Sequence, residues 1–339
     1  MGSVEWEMGN KQMSSRSVEV AAPSRLHFGM FSFGQPGVRQ FGGVGAMIAT
    51  PGVLLKITPA ARVEIVAPND DATVVTTVRE HVLNVERAGW SSDEFRCRIE
   101  ITTLPRRHAG LGSGTQLALA LAAGLNAFLG HASKSSTELA RAVHRGERSA
   151  IGTHGFGRGG LLVEAGKLAA NEISPLVSRV DMSPDWRWVL ICPESEIGLS
   201  GEAERRAFEK LPPVPVETTD RLCRLALLEL VPAAITADFT RFSEALYEFG
   251  HDAGLCFASQ QAGPFASPRV AEIVARVRSL GVLGVAQTSW GPTIAALMPD
   301  ESAAAALVER LQAASNVGSL DLHVAKPNNH GACVQVVGG

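Results

Sequence analysis

Residues 108–126 read "HAGLGSGTQLALALAAGLN". Three glycines and a serine run directly into a stretch that is almost wholly apolar, the pattern of a buried helix. The first N–H groups of a helix lack partners within it, and the helix dipole adds partial positive charge at that end. Glycines let those groups converge and let a ligand approach the backbone closely. The stretch therefore predicts a phosphate cup made by Gly110, Leu111, Gly112, Ser113, Gly114 and Thr115. Thr115 is expected to cap a helix that Gly130 ends. The segment is not a Walker A loop, because no lysine follows the glycines. Nor is it the dinucleotide fingerprint, whose third glycine falls one residue later.

Working outward, Arg106, Arg107 and His108 set cations just before the glycines, where they favour a phosphate-bearing ligand or form a solvated turn. Near the start of the chain, "PSRLHFG" (23–29) places Arg25 and His27 on one side of an extended segment. Such a pair makes an anion clamp in a cleft, or an exposed edge with a satisfied histidine. Far downstream, "QTSWGPT" (287–293) combines an amide, three hydroxyls and an aromatic at a turn between apolar strands. Trp290 there either stacks on a flat ring or is simply buried.

The chain has 339 residues, of which 45% are hydrophobic, enough for two domains or one large one. A net charge of −3 with interspersed signs argues against a dedicated nucleic-acid or membrane surface. The five cysteines are scattered, odd in number and without a C-x-x-C pair, so reduced thiols in a cytoplasmic protein are expected. No zinc motif is present. Residues 1–17 are polar, unlike a signal peptide, and are expected to form a disordered tail. No apolar run suits a bilayer span.

Along the chain, 18–25 reads as a strand ending in a turn, and the glycine-dense 26–57 as strand pieces. "ARVEIVAP" and "TVVTTV" read as a hairpin around Asn-Asp-Asp, with 79–89 helical. "FRCRIEITTLP" alternates as a strand, and a second helix is expected over 135–150. "GTHGFGRGGLLVEAG" reads as a glycine loop entering a strand. "WRWVLICP" opens a second domain, with helices over 217–250 and 268–280. A strand–turn–strand over 281–299, a helix and the closing strand "GACVQVVG" follow. Strands and helices mix without a βαβ repeat, which predicts α+β.

Together these stretches carry a resemblance. "HAGLGSGTQLALALAAGLN" resembles the phosphate-binding motif of the GHMP kinase superfamily. "APSRLHFG" and "QTSWGPTIAAL" stand where that superfamily has its N-terminal substrate motif and its C-terminal glycine motif. "SRLHFGMF", "GGVGAMI", "RGERSAIGTHGFGRGGLLVEAG", "GLSGEAERRAF", "YEFGHDAG" and "GVAQTSWGPT" are similar to the β-ribofuranosylaminobenzene 5′-phosphate synthase family. The resemblance runs from about residue 18 to the end. It implies a ribosomal-S5-like domain over 18–184 and a ferredoxin-like domain over 185–339.

It also implies a reaction. 4-Aminobenzoate would attack phosphoribosyl pyrophosphate, pyrophosphate would leave, and carbon dioxide would be lost, on the way to methanopterin-type cofactors. Mg²⁺ is implied, with its protein ligands unknown, and so is a homodimer. Arg25 and His27 would face the aminobenzoate carboxylate or the 5-phosphate. Ser289, Trp290 and Gly291 would line the ring or ribose pocket, and Thr153 and His154 would sit near the reacting centre. His154 departs from the family pattern. The alternative is an ATP-dependent small-molecule kinase of the same superfamily, and a third reading is a non-catalytic phosphate-binding regulator. The region 149–160 holds no carboxylate to act as a base on a hydroxyl. Gly114 stands where kinases commonly carry a serine. Both departures weigh against phosphoryl transfer.

Overall fold

A computed structural model describes residues 16–91, 94–199, 201–261, 263–313 and 319–338. The expected tail therefore lies almost wholly outside the described residues. The strands are β1 (Ser17–Ser32), β2 (Phe41–Pro59), β3 (Glu64–Val66), β4 (Cys97–Thr103), β5 (Leu161–Glu164), β6 (Leu176–Val180), β7 (Arg187–Pro193), β8 (Val285–Gln287), β9 (Ile294–Met298), β10 (Leu320–Ala325) and β11 (Cys333–Val337). The helices are α1 (Ala72–Arg87), α2 (Ser113–Phe128), α3 (Ser136–Ala142), α4 (Ile151–Arg158), α5 (Gly201–Glu209), α6 (Val216–Arg224), α7 (Val231–Ile235), α8 (Phe239–Leu255), α9 (Pro268–Ser279) and α10 (Glu301–Gln312).

The chain is α+β, with two sheets. The first runs β11-β1-β2-β4-β3, with β5 on β2 and β6 on β5; the second is antiparallel in the order β10-β7-β9-β8. The last strand returns to the first sheet, pairing Ser17 with Val337 and Ala21 with Cys333. One core packs α1 and α2 on the first sheet, joining Val78, Val82, Leu121 and Leu125 to Leu55, Ile57 and Ile99. A second joins β1 and β2 to β7 and α8; there Phe28 stacks on Trp188 with centroids 5.6 Å apart. A third packs α9 and α10 on the outer face of the second sheet.

Four local expectations are corrected. First, β1 runs on past Pro23 to Ser32 with irregularities at Ala22/Ser24 and His27/Gly29, rather than turning. Second, "TVVTTV" is not half of a hairpin but the start of α1. Asp71 of the supposed turn caps it, accepting from the Thr73 N–H at 2.8 Å and the Val74 N–H at 3.2 Å. Burial of Val74, Val78, Val82 and Val85 on one helical face overrides the β preference of branched residues. Third, the helix over 135–150 stops at Ala142, because His144 and Gly146 take positive φ and turn the chain. Fourth, the glycine loop at 151–158 is helix α4. Its glycines serve close packing: a Cβ on Gly155 would strike the Met47 side chain.

Candidate active site

The start of α2, β1, the 144–149 loop, α5 and the β8–β9 turn converge on one cavity of about 410 Å³. Glycines make this junction possible. Gly110 (φ +81°) presses so near the β8–β9 turn that a Cβ would strike the Thr288 carbonyl. Gly112 (φ +69°) is the residue before α2, and a Cβ on it would sit 3.3 Å from Arg25 Nε. Thr288 ties the pieces together: its Oγ1 donates to the Gly110 carbonyl at 2.8 Å and accepts from the His27 N–H at 3.0 Å. The Ser289 N–H donates to the His27 carbonyl at 2.8 Å, and the Arg25 N–H to the Leu111 carbonyl at 3.0 Å.

The residues of the expected cup line this cavity, and one expectation about the helix start is corrected. The helix begins at Ser113, so Thr115 lies in its first turn and does not cap it; no side chain does. The opening amides of α2 border the cavity uncapped, with Gly110, Leu111, Gly112, Ser113, Gly114 and Thr115 lining it. Arg25, His27, Arg107, His108, Ser289 and Trp290 line it too. Gly291 stands behind the wall, with its carbonyl packed against Gly198. Arg106 is turned away, donating to the Glu194 and Glu196 carbonyls at 3.1 Å each. Thr153 and His154 do not line the cavity. Thr153 is fully buried beneath the 144–149 loop, and His154 Nε2 lies 2.7 Å from the Ser174 carbonyl oxygen.

Electrostatics divide the labour. Arg25 carries a buried Nε without a hydrogen-bond partner. Burial lowers its pKa, while Glu204 and Glu164 pull it up; it stays cationic. His27 is held well below the ordinary histidine range by burial and then by Arg25, so it is neutral, with Nε2 buried and unpartnered. The cavity also has an apolar part, with Met30 and Trp290 in its lining. Trp290 meets Phe257 and Phe208 edge-on, with centroids 4.9 and 5.6 Å apart. Met30, Trp290 and His27 also line a smaller pocket of about 40 Å³ against α8.

Several lining residues escaped the sequence reading. Arg148 pairs with Glu204 at 2.9 Å and lies 5.0 Å over the Phe208 ring. Arg145 and Glu147 lie on the same loop. The segment "HRGERS" held a signal: a glycine among two arginines after a helix marks a basic loop. Glu164, outside the cavity, accepts from Ser149 Oγ at 2.6 Å and from the Ala150 N–H at 2.7 Å. Burial raises its pKa, and those hydrogen bonds oppose the rise. Among the described residues no group of three or more His, Cys, Asp or Glu could hold a metal, and no helix is long and apolar enough to cross a membrane.

Comparison with known proteins agrees with this architecture. Residues 74–160 match the GHMP kinases N terminal domain, and residues 230–316 match GHMP kinases C terminal. The chain is 30% identical to the beta-ribofuranosylphenol 5′-phosphate synthase of Archaeoglobus fulgidus, over 68% of this chain and 74% of that protein. The synthase of the same name from Methanothermobacter thermautotrophicus is 27% identical, over 81% of this chain and 87% of the relative. Among solved structures, homoserine kinase from Cytophaga hutchinsonii superposes with a TM-score of 0.66 at 17% identity, covering 94% of this chain and 97% of that one. Mevalonate diphosphate decarboxylase from Staphylococcus aureus gives 0.61 at 15%, covering 95% and 98%. At those identities the structural likeness speaks for the fold.

Proposed function

This chain belongs to the beta-ribofuranosylphenol 5′-phosphate synthase family, and we propose that it joins phosphoribosyl pyrophosphate to a para-substituted benzoate with loss of carbon dioxide. The observation that carries this reading is the mixed lining of the cavity. Uncapped helix amides and Arg25 are offered to an anion, and Met30 and Trp290 to a flat ring. The sequence relatives are synthases rather than kinases, so the kinase alternative is not favoured.

The reaction uses these groups directly. The ring carbon that bears the carboxylate, made electron-rich by the para substituent, forms a bond to the anomeric carbon. The C–O bond to pyrophosphate breaks, and pyrophosphate leaves with the electron pair. The carboxylate then departs as carbon dioxide, and its bonding pair restores the aromatic ring. No hydroxyl needs deprotonating. The α2 amides and Arg25, already in place, stabilise charge as it grows on the leaving group. Trp290 and Met30 orient the ring and exclude water. His27, neutral, holds a carboxylate less tightly than a cation would, which favours its release.

Magnesium carried on the substrate phosphates fits the donor set, because this ion needs few protein ligands. Glu147 lines the cavity and makes no ion pair shown among the described residues; it would hold the ion, which would supply positive charge to the substrate phosphates.

The relatives' name carries a phenol where the sequence resemblance pointed to an aminobenzene. Either para group pushes electrons to the same carbon. The test supplies protein, Mg²⁺ and phosphoribosyl pyrophosphate with carboxyl-labelled 4-aminobenzoate or 4-hydroxybenzoate, and traps released carbon dioxide. Release that needs both substrates is expected, and the faster acid identifies the ring. No release from either acid, with ATP consumed on a hydroxylated acceptor, overturns the reading.

A further inference from the structure

The cavity contains a second cation that the pyrophosphate cup does not use. Arg145, on the loop after α3, lines the cavity where α1 contributes Val74 and Thr77. The same face of α1, four residues on, carries His81, whose Nε2 lies 3.3 Å from Arg145 Nη2. His81 is buried, its pKa lowered to about 4 by burial, Arg145 and His144. It therefore orients the guanidinium without neutralising it. Arg145 Nε is buried and has no hydrogen-bond partner. Among the described residues no ion pair engages Arg145; Glu147 and Glu80 act on it only from a distance. A half-buried guanidinium with no carboxylate in contact is costly unless an anion completes it.

Arg25 differs in its neighbours, since it feels Glu204, Glu164 and Arg148. The two arginines thus serve different parts of one cavity, Arg25 against Gly112 and Arg145 against α1. We propose that Arg145, together with Arg107, which lines the same cavity, forms a second anion site that takes the phosphate monoester of the sugar while the cup takes the pyrophosphate. The assignment to the sugar's 5-phosphate rests on the reaction proposed above. It sets the direction of the substrate: anomeric carbon toward Trp290, 5-phosphate toward α1.

The test titrates the full-length protein calorimetrically with ribose 5-phosphate and, separately, with inorganic pyrophosphate. Arg145→Gln should weaken ribose 5-phosphate by about tenfold or more, the worth of a charged hydrogen bond, and leave pyrophosphate within about twofold. Arg25→Gln should do the reverse. Equal weakening of both ligands by Arg145→Gln, or no change in ribose 5-phosphate, overturns the site. If Arg145→Gln fails to fold, Arg145→Lys and Arg107→Gln pose the same question; Lys keeps the charge but gives up the planar fork. Carbon dioxide release by the unaltered protein is measured in parallel. Release without ribose 5-phosphate binding overturns the second site and leaves the reaction standing. Ribose 5-phosphate binding that Arg145→Gln abolishes, with no release, keeps a phosphate monoester site and overturns the reaction.

Discussion

Two helices begin within a few ångströms of Arg25, and they begin in opposite ways. At α2 the preceding residue is Gly112, no side chain caps the first turn, and the amides border the cavity. At α4 the Ala150 N–H is taken by Glu164, a fully buried carboxylate that also accepts from Ser149. Both stretches are glycine-rich; the sequence reads one as a phosphate cup before a helix and the other as a glycine loop entering a strand. Gly155 of α4 serves contact with Met47, and the start of α4 carries its own internal acceptor, Glu164. A helix start that the protein satisfies itself is structural. One that it leaves uncapped beside a cavity can bind an anion from outside.

Removing that internal acceptor should break the contrast most sharply. Glu164→Ala leaves the Ala150 N–H and Ser149 hydroxyl without their acceptor and should cost about 4 kcal/mol, read by urea unfolding. Glu164→Gln, which keeps one acceptor oxygen, should cost less. Equal stability in both variants would mean that α4 does not depend on its carboxylate.

The next effect concerns the buried neutral partner of Arg145. Below 6.5 the unfolded chain protonates His81, while the folded chain resists until about 4, so stability falls as pH drops through that window. His81→Asn should remove about 3 kcal/mol of the acid loss between neutral pH and about pH 4. Unfolding curves at the two pH values read this directly; His27 contributes in the same direction and remains in the variant.

Arg25→Ala should lower kcat/KM by about 100-fold, with stability unchanged or improved, because the guanidinium makes no ion pair shown among the described residues. Unaltered kinetics would remove Arg25 from the cup. The smallest effect belongs to Gly114. A Cβ there meets nothing within 4 Å and the residue is exposed, so Gly114→Ala should stabilise α2 by about 0.5–1 kcal/mol in thermal unfolding.

From the sequence alone come the α+β class and, as candidates, the glycines at 110–115, Arg25, His27, Ser289 and Trp290, which the fold brings to one cavity. Each of these shows in local chemistry: glycines before an apolar run, alternating side chains on a strand, a polar turn between apolar strands. Tertiary structure alone decided the rest. The order of side chains says nothing about which glycines serve ligand approach and which serve packing, because Met47 is distant from Gly155 in sequence and adjacent only in space. The valine-rich start of α1 became a helix because one of its faces could be buried. Arg145, Arg148 and Glu204 became part of the cavity because a positive-φ turn at His144 and Gly146 and the packing of α5 carried them there. Local propensity is a fraction of a kcal/mol per residue, whereas burial and satisfied polar groups are worth several, so distant contacts settle what neighbours leave open.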